Sequence, residues 1–135
     1  MKTLLDTGPL VAILDAQDSH HDWAVRHAGQ LEAPFLTCEA VLSEAHFPLS
    51  DPPGAQNRLL ELMASDRIEV SFSYVDHASR VHALMRTYRD QPMSFADACL
   101  VRMSEIYTDS RIFTVDSDFR IYQKHGDTPI PVLAP

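Results

Sequence analysis

Short apolar segments with the character of buried strands alternate with longer segments of helical periodicity, and this alternation limits the folds open to the chain. The predicted strands cover residues 2–5, 35–36, 68–72, 112–115 and 130–133, the last an edge strand flanked by prolines. Helices are predicted from Pro9, Ser19, Thr37, Ala55, Asp76 and Ser94 onward, with a short helix over 117–123. Ser19 and Thr37 are predicted to cap their helices, and Ser94 with Asp97 fits a capping box. Because parallel strands need helical crossovers, the pattern predicts an α/β fold, a three-layer α/β/α sandwich with a central, mostly parallel sheet.

The size of the chain fits this fold without a second unit. With 135 residues, 45% of them hydrophobic, we expect a single domain over residues 1–135. The longest purely apolar stretch, residues 10–14, is too short to cross a bilayer, and the N-terminus lacks the pattern of a signal peptide. The two cysteines, Cys38 and Cys99, are too few for a disulfide scaffold and favour a reduced, cytoplasmic compartment.

The charge balance excludes one class of function and leaves another open. The net charge is −8, from 19 acidic and 11 basic residues, which argues against a protein that coats nucleic acid non-specifically. A nucleic-acid enzyme stays open if several acids gather at one site, because bound divalent cations would cancel part of that charge.

Four carboxylates occupy positions where a parallel sheet would collect them. Asp6 and Asp116 directly follow predicted strands, and the carboxyl ends of parallel strands share one edge, where ligands bind. Asp97 lies in the first turn of a helix that is apolar nearly all round, and Glu44 lies in an otherwise apolar helical stretch. Each also has a simpler explanation: Asp6, Asp97 and Asp116 are placed to cap helices, and Glu44 to face water. Their joint occurrence at one predicted edge favours a shared site.

These segments resemble the PIN-domain family, in particular the VapC-type toxin ribonucleases of toxin–antitoxin pairs. The resemblance covers nearly the whole chain. It rests on residues 4–10 (LLDTGPL), 42–45 (LSEA), 94–98 (SFADA) and 114–119 (TVDSDF), which occur in the family's order and at family-like intervals.

The resemblance implies a ribonuclease that uses Mg²⁺ or Mn²⁺. Its catalytic and metal-binding residues would be Asp6, Glu44, Asp97 and Asp116, with Asp118 as a weaker candidate for a ligand. Thr7 and Thr114 would hydrogen-bond a carboxylate or a metal-bound water. The expected partners are the RNA substrate, a second copy of the chain in a homodimer, and an antitoxin protein. Phosphate contacts would come from bases of the C-terminal half: Arg80, Arg86, Arg89, Arg102, Arg120 and Lys124.

Three other interpretations compete with that of a PIN-type ribonuclease. A non-catalytic PIN-like binding module would keep the acids for capping or solubility. A phosphotransferase of the haloacid-dehalogenase type needs a second acid two residues after Asp6, where this chain has Gly8. A zinc site is disfavoured because no two of the seven histidines have helical i, i+4 spacing and the cysteines form no C-x-x-C pair.

Overall fold

The computed structural model describes all residues, 1–135, and contains a five-stranded parallel sheet. In chain order the strands are β1 (Lys2–Leu5), β2 (Phe35–Thr37), β3 (Ile68–Val70), β4 (Ser110–Phe113), β5 (Gln123–Lys124), β6 (Thr128–Pro129) and β7 (Val132–Leu133). The sheet has the order β3-β2-β1-β4-β7 with every pair parallel, so the predicted parallel sheet and its C-terminal edge strand are confirmed. Strands β5 and β6 form a separate antiparallel pair that the sequence analysis did not predict.

Six α-helices connect the strands: α1 (Thr7–Leu14), α2 (His21–Ala28), α3 (Glu39–His46), α4 (Ala55–Met63), α5 (Tyr74–Thr87) and α6 (Phe95–Ile106). Two 3₁₀ turns lie at Pro48–Ser50 and Ser117–Arg120. The crossovers from β1 to β3 run in one direction along the sheet, and the crossover from β3 to β4 runs back. Because such connections are right-handed, the α5–α6 pair covers the face opposite to the earlier helices, which gives the predicted three-layer sandwich. No helix combines the length and apolar character needed to span a bilayer.

The core is one cluster of 28 buried apolar residues centred on the middle strand. Successive side chains of a strand point to opposite faces of the sheet, so Leu4 and Leu5 of β1 face the two different helical layers. Both are fully buried. On one face, Trp23 of α2 packs against Phe113 of β4 with ring centroids 5.3 Å apart. This central burial fixes where β1 ends, and therefore where Asp6 lies.

Two predicted helix caps are wrong, and one is confirmed. Helix α2 begins after His20 rather than Ser19, without a side-chain cap. Thr37 is the last residue of β2 and is buried, so its hydroxyl faces β1 and not the next helix. The hydroxyl donates a hydrogen bond to the Leu5 carbonyl oxygen at 2.8 Å. At α6 the predicted capping box is present, with reciprocal bonds between Ser94 and Asp97.

The strand order creates a crevice at the carboxyl edge of the sheet. From β1 the chain first builds β2 and β3 on one side, and later adds β4 and β7 on the other. The connections leaving β1 and β4 therefore diverge, and ligands of α/β sheets bind at such a switch point. Asp6 follows β1 and Thr114 follows β4, so the crevice opens between two segments with candidate residues.

Candidate active site

Asp6 forms the floor of this crevice. It lies between β1 and α1, and its amide donates to the Phe113 carbonyl oxygen of β4 at 3.1 Å. Its carboxylate accepts a 2.6 Å hydrogen bond from the Thr114 hydroxyl and makes no helix-capping bond through its side chain. Burial raises the pKa of Asp6 to about 7, against the effect of the bonds from Thr114 and the Thr7 amide, and the charges of Asp97 and Glu44 raise it further. Capping of α1 does not explain this residue.

Asp97 enters the crevice from the N-terminus of α6. One carboxylate oxygen, Oδ2, accepts from the Ser94 amide at 3.1 Å and lies 3.5 Å from the Tyr122 hydroxyl, whereas Oδ1 accepts no hydrogen bond. Burial raises the pKa of Asp97 despite the bonds from Ser94, and the charges of Asp116 and Glu44 raise it further. Asp97 therefore caps its helix, keeps one carboxylate oxygen without a hydrogen-bond partner, and lies near enough to Asp116 and Glu44 for their charges to affect its pKa.

The segment after β4 brings the next acids to the crevice. The Thr114 hydroxyl donates to Asp6 and accepts from the Asp116 amide at 2.9 Å, so one buried side chain links both strand ends. The Asp116 carboxylate in turn accepts from the Asp118 amide at 2.8 Å and caps the 3₁₀ turn. Partial burial raises the pKa of Asp118, with a further rise from the adjacent Asp116 carboxylate.

Glu44 differs from the other three because it is exposed. It lies near the end of α3, and its charge reaches both Asp6 and Asp97 strongly enough to raise their pKa values. The structure thus brings Glu44 to the rim of the crevice and the three aspartates, Asp6, Asp97 and Asp116, to its interior and walls.

The charge of this group is not balanced by basic side chains. None of the four acids forms an ion pair with a lysine, arginine or histidine. The hydroxyl of Thr7, predicted to bind a carboxylate, is buried beside Asp6 without any hydrogen-bond partner. No three or more His, Cys, Asp or Glu side chains are placed to enclose a metal ion directly. Hard oxygen donors, uncompensated charge and an unpartnered hydroxyl fit a hydrated Mg²⁺ or Mn²⁺, which typically keeps several waters beside one or two carboxylates.

The family is decided by comparison with known sequences. A model of the PIN domain matches residues 3–124, nearly the whole chain. The chain belongs to the PIN-domain family. The sequence resemblance to PIN domains is therefore confirmed.

A solved structure shares the PIN fold. The crystal structure of Mycobacterium tuberculosis VapC20, a toxin that cleaves the sarcin-ricin loop, superposes with a TM-score of 0.78 at 19% sequence identity, covering 87% of this chain and 92% of that chain. At this identity the likeness establishes the fold. No curated protein matches the chain.

Several predicted phosphate-binding bases have other partners in this PIN domain. Arg80 and Arg102 both pair with the buried Glu105, and Lys124 is buried with its amine 3.3 Å from the Thr108 carbonyl oxygen. The exposed members of the predicted set are Arg86, Arg89 and Arg120.

Tyr122 is not among the site residues predicted from the sequence. This side chain is fully buried between Tyr88 and Phe119, with its hydroxyl near Asp97. Burial and the charges of Asp97, Asp118 and Asp116 raise its pKa, so the hydroxyl stays protonated and can donate. Its place beside the crevice depends on the chain folding back after the 3₁₀ turn, and no local pattern signals that.

Proposed function

We propose that this PIN domain is a Mg²⁺- or Mn²⁺-dependent endoribonuclease that hydrolyses RNA phosphodiester bonds, and that it acts as the toxin of a toxin–antitoxin pair. The observation that carries the proposal is the meeting of Asp6, Asp97 and Glu44, from three distant segments, without a basic side chain among them. Burial is the main reason that the pKa of Asp6 is raised, and the charges of Asp97 and Glu44 raise it further; a bound divalent cation would offset both effects.

Each residue has a distinct part in the proposed site. Asp6 and the free Oδ1 of Asp97 would hold the main metal, directly or through water. Glu44, at the exposed rim, would complete that site or orient the attacking water. Asp116 would hold a second, weaker ion or its water shell, and Asp118 is the outermost candidate.

The hydroxyl groups would keep these carboxylates in place. Thr114 fixes the Asp6 carboxylate from one side, and its bond to the Asp116 amide fixes the distance between the two strand ends. Thr7 offers an unused buried hydroxyl beside Asp6, suited to a metal-bound water.

A nuclease of this kind needs no side-chain nucleophile. When bound, the divalent ion supplies the positive charge that acidifies a water and stabilises the developing charge on the phosphate. The carboxylates would position that water and accept hydrogen bonds from it. The water oxygen would bond to phosphorus as the bond from phosphorus to the bridging ribose oxygen breaks, and the proton lost by the water would be balanced by the proton that the leaving ribose oxygen takes up.

Asp97→Asn tests the assignment. The amide keeps the size of the side chain and can still accept from Ser94, but it removes the charge, so we expect RNA cleavage in Mn²⁺ to be lost while the far-UV circular dichroism stays that of the wild type. Asp76→Asn is the matched control, because Asp76 is an exposed first-turn acid three residues after Ser73, as Asp97 is after Ser94. Unchanged cleavage by the Asp97 variant would refute the role of this residue.

The proposed partners are the RNA substrate, a second copy of the chain and an antitoxin, with action in the cytoplasm. The four carboxylates give the crevice a negative potential, which attracts a basic peptide segment electrostatically. Size-exclusion chromatography with light scattering tests the homodimer, and co-expression with the product of the neighbouring gene tests the antitoxin.

A second candidate function is a non-catalytic PIN-like binding module. It is favoured by the capping bonds of Asp97 and Asp116, which give both residues a structural reason to be acidic, and by the absence of three side chains that enclose an ion. Metal binding separates the two functions, because a cation that binds the native state of the enzyme should stabilise it, whereas the binding module should not respond.

A further inference from the structure

A small open cleft lies beside the carboxylates, along the same edge of the sheet. Its volume is about 210 Å³. We call it the aromatic cleft, and it is lined chiefly by Cys38, Glu39, Phe72, Tyr74, Phe95 and Cys99.

The strand order fixes the position of the aromatic cleft relative to the carboxylates. Cys38 directly follows β2 and Phe72 follows β3, whereas Asp6 follows β1, the strand next to β2. Neighbouring strands lie about 4.8 Å apart, so the cleft is on the order of 10 Å from Asp6. From the other side, Phe95 belongs to the same first turn of α6 as Asp97. A nucleic-acid strand lying along this edge would pass both places.

Two aromatic side chains stand exposed at the mouth of the cleft. Tyr74 and Phe95 pack edge to face with ring centroids 5.1 Å apart, yet they are 44% and 45% exposed. Below them Phe72 is buried and stacks on His77. The pair is thus held in place by its neighbours while it offers apolar ring surface to solvent, which is the form of a stacking platform.

The charges around the cleft decide what kind of group fits it. Its lining contains no lysine or arginine, and its one charged member is the exposed carboxylate of Glu39. Towards β1, the same edge carries the carboxylates of the proposed active site. A phosphate would be repelled here, whereas a neutral planar group with apolar faces loses nothing by entering.

We propose that the aromatic cleft binds an unpaired nucleobase of a single-stranded RNA segment, stacked on Tyr74 and Phe95, while an adjacent phosphate lies at the carboxylates. This inference rests on the proposed ribonuclease function and adds to it a base-binding subsite formed by Tyr74 and Phe95. A base held in a duplex is stacked between its neighbours and cannot enter the cleft.

The test uses a single-stranded RNA hexamer with one 2-aminopurine, whose fluorescence is quenched on stacking. Binding to the full-length protein is titrated in Ca²⁺, which like Mn²⁺ offsets the charge of the carboxylates, and initial cleavage rates are measured in Mn²⁺. We expect quenching by the wild type and by Tyr74→Phe, which keeps the ring. Tyr74→Ala and Phe95→Leu should lose the quenching and bind roughly tenfold more weakly. The same hexamer paired with its complementary strand should bind more weakly than the single strand.

Phe47→Leu is the matched control, because Phe47 is an aromatic residue that is 82% exposed and makes no aromatic contact. Its binding should equal that of the wild type, and melting temperatures establish that all variants are folded. Wild-type affinity in both cleft variants, or equal binding of the duplex, would overturn the base-binding role. Loss of self-association without loss of RNA affinity would overturn it too, since the surface would then be an interface between two copies.

The outcomes also separate this inference from the ribonuclease proposal. If the wild type cleaves RNA and the cleft variants do so equally well, the cleft assignment fails alone. If the wild type shows ring-dependent quenching but no cleavage in Mn²⁺, base binding stands and the ribonuclease proposal fails. Absence of both binding and cleavage overturns both.

Discussion

At the scale of single residues, the buried Thr114 hydroxyl holds the candidate site together. It donates to the Asp6 carboxylate and accepts from the Asp116 backbone amide, so it joins two residues that are 110 positions apart in sequence through two bonds, of 2.6 and 2.9 Å. Asp6 has no cationic partner, so this bond is the strongest single stabiliser of its charged form. A buried carboxylate that loses such a donor carries the full cost of its desolvation.

Thr114→Val removes the hydroxyl with little change of shape. We expect the free energy of unfolding at pH 8, where Asp6 is charged, to fall by about 1–3 kcal/mol, and the pKa of Asp6 to rise further. Thr114→Ser keeps the donor and should lie close to the wild type. Urea denaturation at pH 8 measures the difference, and equal stability of the valine and serine variants would contradict it.

At the scale of secondary-structure elements, the site depends on how closely α1 approaches the segment after β4. Gly8, in the first turn of α1, lies against the Val115 side chain, and a Cβ on this residue would overlap Val115 Cγ2. Val115 lies between Thr114 and Asp116. The glycine therefore permits the approach that brings the end of β4 beside Asp6.

Gly8→Ala should push Val115 and the adjoining acids away from Asp6. We expect a loss of about 1–3 kcal/mol in stability and a marked fall in RNA cleavage. Gly29→Ala is the matched control: a Cβ there meets only backbone oxygens at 3.5 and 3.6 Å in a helical conformation, and the change should raise stability by about 0.4–1 kcal/mol. Thermal melts and cleavage rates of the two variants test this, and a Gly8 variant with wild-type stability would count against it.

A second contact between elements lies away from the crevice, where α5, α6 and the β5 region meet at Glu105. This side chain is 2% exposed and accepts hydrogen bonds from Arg80 at 2.6 and 2.9 Å, from Arg102 at 3.2 Å and from the His125 amide at 2.7 Å. Burial alone would raise the pKa of Glu105, but the bonds from Arg80, the His125 amide and Arg102 lower it to about 2. The ionised carboxylate of Glu105 therefore stabilises the contact between α5 and α6.

The pH dependence of stability follows from this lowered pKa. The unfolded state, with an ordinary pKa of 4.5 for this residue, takes up the proton first as the solution is acidified. The contribution of Glu105, roughly 3 kcal/mol, is thus complete above pH 4.5 and is lost as the pH falls towards 2. Glu105→Gln should be destabilised by a similar amount at pH 7 and should lose less stability on acidification. Chemical denaturation between pH 7 and pH 3, with the exposed Glu61→Gln as control, measures both effects.

At the scale of the whole molecule, the net charge of −8 and the local cluster of unpaired acids point the same way. A folded protein that gathers carboxylates without counter-charges is stabilised by any cation that binds the native state and not the unfolded chain. The excess of acidic residues argues against a protein that coats nucleic acid non-specifically. It is consistent with a nuclease when the charge of bound divalent cations is added to the charge of the protein.

Mn²⁺ should therefore raise the Tm of the wild type. At a concentration 100 times the dissociation constant, the native state gains about 2.7 kcal/mol, which for a chain of this size corresponds to a rise of roughly 10 °C. Asp97→Asn should show a smaller rise and Asp76→Asn the wild-type one. Differential scanning fluorimetry with and without EDTA measures this, and a flat response of the wild type would favour the non-catalytic module.

The sequence by itself determined the local features of this protein. Segments of strand-like and helix-like apolar spacing alternate along the chain and predict the strands and helices. This works because burial of one face of an element sets the spacing of its apolar residues. The capping box at Ser94 and Asp97 is predicted for the same reason, since a cap involves residues three apart. The carboxylates after β1 and β4 could be identified as candidates because a strand end is a local event.

The tertiary structure decided which of these features meet. The order β3-β2-β1-β4-β7 makes β1 and β4 neighbours, and no local pattern encodes that order because it follows from packing helices on both faces of one sheet. The same long-range packing turned the Thr37 hydroxyl towards β1, folded Tyr122 back beside Asp97 and set the aromatic pair next to the carboxylates. The raised pKa of Asp6 likewise exists only when burial and distant charges act together on one carboxylate.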